Sequence, residues 1–249
     1  MSRRTRTALV TGAGRGIGAR IATELAHDGY AVVVVARSTD ALRSVVAEIE
    51  HAGGRALAVP CDITDETAVA AAVSTAAEAF GGIDVVINNA GTELIARLEE
   101  TTIEQWRHVM AVNVEGTFLV LRQIAPHLFA SGSGRVINIS SIFALSGASQ
   151  WSAYSAAKGA VLSLTRTLAV EWARHGVRVN AVLPGNIETE MTAPALADPK
   201  LRAYAEGRTP MRRIGLPADI APLVRFLASE DADFVTGQAI AADGGFLAW

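Results

Sequence analysis

A glycine-rich turn between a strand and a helix near the start of the chain limits the accessible folds most. The apolar run Thr7–Thr11 predicts a strand, Gly12 and Gly18 bound the turn, and a helical pattern continues to about Asp28. A second apolar run at Ala31–Ala36 predicts another strand. The stretch is therefore interpreted as a βαβ unit, whose parallel strands are joined by a crossover helix.

Short apolar runs alternate with helical patterns along most of the remaining chain. Strands are predicted at 56–60, 83–88, 135–139, 178–183 and 238–242, and helices at 38–50, 65–81, 102–127, 153–174 and 217–229. This alternation predicts an α/β fold with a doubly wound parallel sheet of about seven strands and helices on both faces. We expect one domain over 1–249, with the proline-containing segment 186–213 as a substrate lid.

Composition excludes several classes of protein. Half of the 249 residues are hydrophobic and 19% are charged, so a large buried core is expected. The net charge of -3 disfavours nucleic-acid binding, and no run approaches the ~20 apolar residues of a membrane span. Arg3, Arg4 and Arg6 precede the first strand too closely for a signal peptide. The single cysteine, Cys61, favours a reducing, cytoplasmic setting and no multi-cysteine metal site.

The position of the glycine-rich turn indicates dinucleotide binding. Gly12 permits a tight turn, Gly16 lets the backbone approach a pyrophosphate, and Gly18 allows close packing of the helix on the sheet. The free N–H groups at the start of the helix favour phosphate. Outside a βαβ unit, the same run would more often be an ordinary loop.

The end of the second strand predicts which dinucleotide is bound. An acidic side chain there selects the ribose hydroxyl of NAD(H), whereas arginine accommodates the 2′-phosphate of NADP(H). This chain has Ala36 followed by Arg37, and Arg15 lies in the glycine-rich turn. Because guanidinium groups bind phosphate bidentately, we favour NADP(H) over NAD(H). The alternative is two surface arginines without a role.

A tyrosine and a lysine four residues apart predict acid–base chemistry. Tyr154 and Lys158 lie in an alanine-rich helical run and share one helix face. A tyrosine loses its proton near pH ~10, and a nearby cation lowers that pKa toward neutrality. Ser141 follows the predicted fifth strand and is expected to meet the phenol at the mouth of the sheet. The alternative is an amphipathic helix with a half-buried tyrosine and a solvated lysine.

Taken together, these residues resemble the short-chain dehydrogenase/reductase superfamily in its single-domain branch. The resemblance spans essentially the whole chain. Its marks occur in order: Thr11-Gly-x-x-x-Gly-x-Gly18, Asp62, Asn88-Asn-Ala-Gly91, Asn113, Ser141, Tyr154-x-x-x-Lys158, Pro184-Gly185 and Thr189. Each mark alone is weak, whereas the ordered set is specific. The resemblance implies a Rossmann-type fold and the site described next.

The resemblance implies four catalytic residues, Asn113, Ser141, Tyr154 and Lys158. The cofactor contacts it implies are Gly12, Arg15, Gly16, Ile17, Gly18, Arg37, Ser38, Asp62, Ile63, Asn89, Ala90, Gly91, Tyr154, Lys158, Pro184, Gly185, Ile187 and Thr189. Asp62 would contact the adenine, Asn88 would tie neighbouring strands, and Asn113 would hold a proton-relay water at a helix irregularity. No metal is expected.

The implied reaction is hydride transfer between nicotinamide and a ketone or secondary alcohol. Tyr154 would protonate the carbonyl oxygen, Lys158 would lower the phenol's pKa and bind the nicotinamide ribose, and Ser141 would donate to the same oxygen. Within the superfamily, the chain is similar to carbonyl reductases among others. A non-catalytic NADP(H) sensor on the same fold is a weaker alternative, because it would not need these three side chains together.

Two further patterns bear on substrate and assembly. The stretches 184–191 and 236–245 are similar to those of 3-oxoacyl thioester reductases, acting on acyl-carrier or CoA thioesters. That subgroup usually has basic residues before strand five to dock an acidic carrier, whereas this chain has Arg135 only at the strand itself, and Arg174 and His175 further on. The expected substrate wall, which could equally be core, is Phe143, Leu145, Trp151, Met191 and Leu196.

The helix after Ser152 has small side chains and is apolar on more than one face. This pattern favours packing against another subunit, in a homo-oligomer that is a dimer or tetramer. The alternative is burial on two sides within a single subunit.

Overall fold

The structure is a computed structural model that describes residues 5–249. Arg3 and Arg4, part of the basic start used to argue against a signal peptide, lie outside the described residues. The strands are β1 (Thr7–Thr11), β2 (Ala31–Ala36), β3 (Arg55–Pro60), β4 (Val85–Asn88), β5 (Arg135–Ile139), β6 (Arg178–Pro184) and β7 (Ala239–Ala242). None of the helices in 5–249 is long and apolar enough to cross a membrane.

Nine α-helices are assigned in this part of the chain. They are α1 (Gly16–His27), α2 (Thr39–His51), α3 (Glu66–Phe80), α4 (Ile103–Met110), α5 (Gly116–Ser131), α6 (Ser152–Trp172), α7 (Ala193–Leu196), α8 (Pro199–Arg208) and α9 (Pro217–Ala228). Asp65 caps α3 through hydrogen bonds from two backbone amides, and Thr102 and Gln105 form a capping box at α4. Local side-chain chemistry therefore fixes where these helices begin.

The seven strands form one parallel sheet in the order β3-β2-β1-β4-β5-β6-β7. The fold is thus the doubly wound, Rossmann-type α/β fold that the sequence predicts. The strand order reverses between β1 and β4, and such a switch point opens a crevice at the carboxyl ends of the strands. The Gly12–Gly18 turn after β1 and the Asn88–Gly91 turn after β4 both reach that edge.

Both faces of the sheet are covered by apolar helix faces. One core layer joins β1 and β2 to α1, α2 and α9, with Ile21, Leu42 and Ile220 fully buried. The other joins the opposite face to α3, α5 and α6. Strands buried on two faces are continuous apolar runs rather than alternating ones, as in the valines of β2.

The main differences from the predicted elements are in β4 and in the helix before β5. The fourth strand begins at Val85 rather than residue 83, because the buried Asp84 carboxylate accepts a hydrogen bond from Thr7 N at 2.8 Å. The helix predicted over 102–127 is two helices joined by a π-helical turn at Ala111–Glu115, and α5 continues to Ser131. The irregularity expected at Asn113 lies in that turn.

Within the chain, α6 packs both on β6 and on α4 with the π-helical turn. Its buried residues include Ala153, Ala157 and Leu162. Burial within one subunit therefore accounts for much of its apolar pattern, although Val170 remains 81% exposed.

The segment between β6 and α9 carries the two short helices α7 and α8 outside the sheet. Arg202 on α8 hydrogen-bonds the Glu188 carboxylate at 2.7 Å and the Leu196 carbonyl at 3.4 Å. These bonds tie α8 to α7 and to the chain leaving β6, so the segment predicted as a lid is held together by its own contacts.

Candidate active site

A cleft of about 1440 Å³ opens at the carboxyl ends of the strands. Almost all of the predicted site residues line it, namely Gly12, Arg15, Gly16, Ile17, Arg37, Ser38, Asp62, Ile63, Asn89, Ala90, Gly91, Ser141, Tyr154, Lys158, Pro184, Gly185, Ile187 and Thr189. Gly18 and Asn113 lie behind the cleft wall rather than in it. The structure thus brings together residues from the six connections that follow β1 to β6.

Hydrogen bonds from the β4 turn hold the glycine-rich turn in shape. Thr11 Oγ1 accepts from the backbone amides of Asn89 at 3.0 Å and Ala90 at 3.1 Å. The Asn89 amide donates to the carbonyls of Thr11 and Gly12, both at 3.1 Å. Gly12 adopts φ +63°, a left-handed conformation that favours glycine. Helix α1 then begins without a side-chain cap, so its first N–H groups face the cleft mouth.

Gly18 allows the close packing that the sequence predicts. A Cβ atom there would lie 2.4 Å from both the Gly12 carbonyl oxygen and Asn89 Nδ2. Because both atoms belong to the hydrogen-bonded turn, neither can withdraw without breaking it.

We expect Gly18→Ala to destabilise the fold by about 1–3 kcal/mol and to weaken dinucleotide binding, since the added methyl displaces the turn. Urea unfolding and cofactor titration measure the two effects. The matched control is Gly207→Ala, because a Cβ at Gly207 on α8 meets nothing within 4 Å. A Gly18→Ala variant as stable as the control would contradict the packing argument.

The β2 end of the cleft is rich in cations. Arg15 and Arg37 are exposed there, and Ser38 caps α2 by accepting from Ala41 N at 3.4 Å. Asp62 Oδ1 accepts from the amide and hydroxyl of Thr64, at 3.0 and 2.8 Å. The backbone and side-chain bonds from Thr64 lower the pKa of Asp62, as do, to a lesser extent, Arg37 and His108.

Small residues pack closely beside these arginines. A Cβ at Gly14 would lie 3.1 Å from Ala41 Cβ on α2 and 3.7 Å from Ala36 Cβ at the end of β2. Ile63 is buried and packs on the start of α5, where a Cβ at Gly116 would lie 2.6 Å from Ile63 Cδ1. This end of the cleft therefore combines small and apolar residues, Gly14, Ala36 and Ile63, with two exposed arginines.

Ser141, Tyr154 and Lys158 meet at the centre of the cleft. Ser141 follows β5, and its hydroxyl accepts from Phe143 N at 3.2 Å. Tyr154 and Lys158 lie one turn apart on α6, with Lys158 Nζ 5.5 Å from the centroid of the phenol ring. Lys158 is buried and donates to the Ile139 carbonyl at 3.0 Å. The strand end and the helix thus present a hydroxyl, a phenol and an ammonium to the same space.

The pKa values differ from the predicted direction for the tyrosine. Burial raises the pKa of Tyr154 to about 12, and the hydrogen bond from Ser141 only partly offsets this. Burial also lowers the pKa of Lys158 to about 8. The net pKa of the phenol is therefore raised rather than lowered in this chain by itself, because burial of the ring dominates and Lys158 Nζ donates to the Ile139 carbonyl.

Asn113 approaches the same centre from behind. Its amide donates to the carbonyls of Thr92 at 2.8 Å and Val109 at 2.9 Å, while its buried Oδ1 has no partner among residues 5–249. A Cβ at Gly91 would lie 2.8 Å from Asn113 Oδ1 and 3.3 Å from Lys158 Nζ. Both polar atoms therefore face the small space that glycine leaves, which is a geometry suited to a bridging water.

The opposite wall of the central cleft comes from the end of β6. Gly185 packs against Asp243, whose Cα would lie 2.7 Å from an added Cβ. Ile187 is buried in the core, and Thr189 N donates to Thr192 Oγ1 at 3.0 Å. Asn88, predicted to tie neighbouring strands, donates to Asn138 Oδ1 on β5 at 2.9 Å, which confirms that prediction.

Aromatic side chains form the outer half of the cleft beyond Tyr154. Phe143 lies 4.9 Å from Trp151 and 6.5 Å from Phe246, measured between ring centroids. Met191 and Leu196 of the lid also line this half, as predicted. Leu145 does not: it is 55% exposed outside the cleft lining, because the short 3-10 turn after Ser141 directs it away.

Several lining residues were not predicted from the sequence. They include Glu93, Ile95, His108, Gln150, Leu201, Tyr204, Arg208 and Phe246. Glu93 carried a usable signal, since it lies two residues beyond the Asn88–Gly91 turn at a strand end. His108 and Arg208 occur in helical patterns whose rotation toward the cleft depends on tertiary packing. Among residues 5–249, no group of three or more His, Cys, Asp or Glu could hold a metal ion.

Comparison with known proteins agrees with this geometry. A family model described as Enoyl-(Acyl carrier protein) reductase matches residues 12–247. The chain is 42% identical to 2-(R)-hydroxypropyl-CoM dehydrogenase of Xanthobacter autotrophicus, covering 98% of this chain and 99% of the relative. It is 40% identical to a 3-oxoacyl-[acyl-carrier-protein] reductase of Synechocystis, covering 96% of each chain.

Among solved structures, one from Beutenbergia cavernae superposes with a TM-score of 0.94 at 40% identity, covering 100% of this chain and 99% of that one. That protein is provisionally named an NAD(P)-dependent gluconate 5-dehydrogenase, and its structure contains NADP at low occupancy. With the ordered motifs, the seven-stranded parallel sheet and relatives matched over nearly their full length, the chain belongs to the short-chain dehydrogenase/reductase superfamily and is an oxidoreductase.

Proposed function

We propose that the chain is a single-domain NADP(H)-dependent oxidoreductase that transfers hydride between nicotinamide and a ketone or secondary alcohol, with 186–213 as its substrate lid. One observation carries the proposal: Ser141, Tyr154 and Lys158 converge in the same cleft as the glycine-rich turn and the uncapped start of α1. Reduction of a carbonyl by a nicotinamide uses both features, since a helix start binds the dinucleotide phosphates and a proton donor neutralises the developing alkoxide.

The residues present fit a dinucleotide. The first N–H groups of α1 and the left-handed Gly12 and Gly16 suit a pyrophosphate, and the orphaned Asn113 Oδ1 and buried Lys158 suit a ribose and its water. The bound cofactor supplies or accepts the hydride. Contacts at the nicotinamide end are assigned to Pro184, Gly185, Ile187 and Thr189.

Each catalytic side chain has a distinct role in the proposal. Tyr154 donates its phenolic proton to the carbonyl oxygen during reduction, and the high pKa of about 12 keeps that proton in place beforehand. Ser141 donates a hydrogen bond to the same oxygen and orients it. Lys158 and Asn113 hold the water and ribose positions through which the phenol is reprotonated. Positioned proton transfer of this kind accelerates reactions by ~10²–10⁴-fold.

Arg15 and Arg37 support NADP(H) over NAD(H), because both are exposed in the cleft lining and the residue that ends β2 is Ala36, followed by Arg37, rather than an acidic side chain. We expect the double variant Arg15→Ala/Arg37→Ala to raise KM for NADPH about 10²–10⁴-fold, since charge-assisted bonds to phosphate contribute about 1.5–3 kcal/mol each and about 1.4 kcal/mol corresponds to a factor of ten. KM for NADH is expected to change little. Initial rates with both cofactors measure this.

The control for that experiment is Arg43→Ala, which removes a 73% exposed arginine of α2 that pairs weakly with Asp40. It should leave both KM values unchanged. A parent enzyme that prefers NADH would overturn the argument from the two arginines.

A 3-oxoacyl-carrier-protein or 3-oxoacyl-CoA reductase is the second candidate. The chain is 42% identical to a 2-(R)-hydroxypropyl-CoM dehydrogenase and 40% identical to a 3-oxoacyl-[acyl-carrier-protein] reductase. Sequence identity therefore does not distinguish between the two candidate functions. Arg135 cannot dock an acidic carrier, because its side chain is 2% exposed, pairs with Asp233 and donates to the Gly134 carbonyl. A non-catalytic NADP(H) sensor is less favoured, since it has no use for the convergent triad.

Initial rates with NADPH against ketones, 3-oxoesters and 3-oxoacyl thioesters test the proposal and separate the candidates. Turnover of several ketones supports the broader function, and turnover restricted to thioesters supports the second.

Assembly as a dimer or tetramer is part of the proposal, supported by the exposed Val170 on α6 and Phe118 on α5. The cytoplasmic setting rests on the single buried cysteine.

A further inference from the structure

Glu93 is the acidic side chain next to the proposed reaction centre. It follows the turn after β4, is partly buried, and lines the cleft. No hydrogen bond or ion pair to its carboxylate is formed within residues 5–249. Its charge reaches Tyr154, where it contributes to raising the pKa of the phenol, and burial raises its own pKa.

Nothing nearby in the described chain neutralises this carboxylate. Arg208 lines the same cleft, but its guanidinium lies over the Phe246 ring, 5.1 Å from the centroid, and forms no ion pair with Glu93. Lys158 donates to the Ile139 carbonyl. The cleft that Glu93 lines is also lined by apolar side chains, including Phe143 and Trp151. A charge is poorly screened where apolar walls exclude water. The field of the Glu93 carboxylate therefore acts on any group that binds beside it.

We infer that Glu93 is a specificity-determining residue that excludes substrates with a negative charge beside the reacting carbonyl and favours neutral ketones whose neighbouring hydroxyl or amide donates a hydrogen bond to it. The inference rests on the proposed function. An ionised carboxylate only accepts hydrogen bonds, so a donor on the substrate complements it. A substrate that carries a carboxylate where this donor would lie is repelled by Glu93. The repulsion discriminates between charged and neutral substrates without any additional attractive contact.

The test compares charge-matched carbonyl compounds in the full-length enzyme with NADPH. The pairs are 4-oxopentanoate with its methyl ester and 3-oxobutanoate with its methyl ester, assayed above neutral pH as substrates or, where turnover is absent, as competitive inhibitors of the best panel ketone. We expect the parent to favour each ester by about tenfold or more. Glu93→Gln, which keeps shape and removes charge, is expected to reduce that preference at least about tenfold.

Two variants control for shape and total charge. Glu93→Asp keeps the charge and is expected to keep the preference for the esters. Glu100→Gln removes a carboxylate from the exposed 3-10 turn before α4, outside the cleft lining, and is expected to match the parent. If the parent shows no preference, or if Glu93→Gln leaves it unchanged, the inference fails while the function stands. If the parent reduces no carbonyl compound in a Tyr154-dependent manner, the proposed function itself fails.

Discussion

Replacing Tyr154 by phenylalanine is expected to lower turnover of carbonyl substrates by at least about 10²–10⁴-fold while leaving NADPH affinity within about threefold of the parent. The substitution removes only the hydroxyl. The ring keeps its edge-to-face packing on Trp151, 5.4 Å between centroids, and its position above Lys158. The cleft that would bind NADPH is thus preserved, whereas the proton donor is lost.

Steady-state rates and NADPH fluorescence titration measure the two parts of this expectation. Tyr204→Phe is the matched control, because Tyr204 also lines the cleft but is 69% exposed on the lid helix α8. The control should retain most activity. Parental turnover in Tyr154→Phe would remove the phenol from the mechanism.

Replacing Lys158 by methionine is expected to abolish turnover and yet to stabilise the fold. Burial lowers the pKa of Lys158 from 10.5 to about 8, so holding the charged form in the folded chain costs free energy. Methionine fills similar space without a charge, at the loss of the bond to the Ile139 carbonyl. We expect a net gain of about 1–3 kcal/mol in the free energy of unfolding at neutral pH.

The gain has a defined dependence on pH. Below about pH 8 the folded parent carries the charged lysine, and the variant's advantage is complete. As the pH rises from about 8 to 10.5, the unfolded parent binds more protons than the folded one, so the parent gains stability and the difference disappears. Urea unfolding of both proteins across this range, without added cofactor, measures it.

The control is Lys200→Met, which changes an exposed lysine near the start of α8. It is expected to be neutral at every pH, since surface charges contribute little. An advantage of Lys158→Met that persists unchanged above pH 10.5 would show that better packing, rather than the buried charge, is its source.

The sequence predicted the strands and helices well because glycine, proline or a capping residue marks where these segments end or begin. Gly81 ends α3 in a left-handed conformation, and Asp65 begins that helix with its side chain. Such signals are local, so they can be identified without knowing the rest of the fold. The order of motifs along the chain likewise predicted which residues meet at the carboxyl edge, because parallel strands bring their ends together.

What the sequence did not predict depends on contacts between distant residues. The start of β4 is set by Asp84 bonding Thr7, 77 positions away. The family resemblance implied an irregularity at Asn113, but hydrophobic periodicity did not show that the helix divides there, where the Asn113 side-chain amide donates to the Val109 carbonyl four residues earlier. The pKa of Tyr154 depends on how deeply the ring is buried, which requires the packed structure.

The placement of α7 and α8 has a consequence for laboratory evolution. Neither helix pairs with the sheet, and their residues Leu196, Leu201 and Tyr204 face the cleft without belonging to either core layer. A library confined to these positions therefore leaves the folding determinants untouched while varying the surface that meets incoming molecules. Retargeting such an enzyme to new alcohols is best begun there, because most members of that library will still be folded proteins.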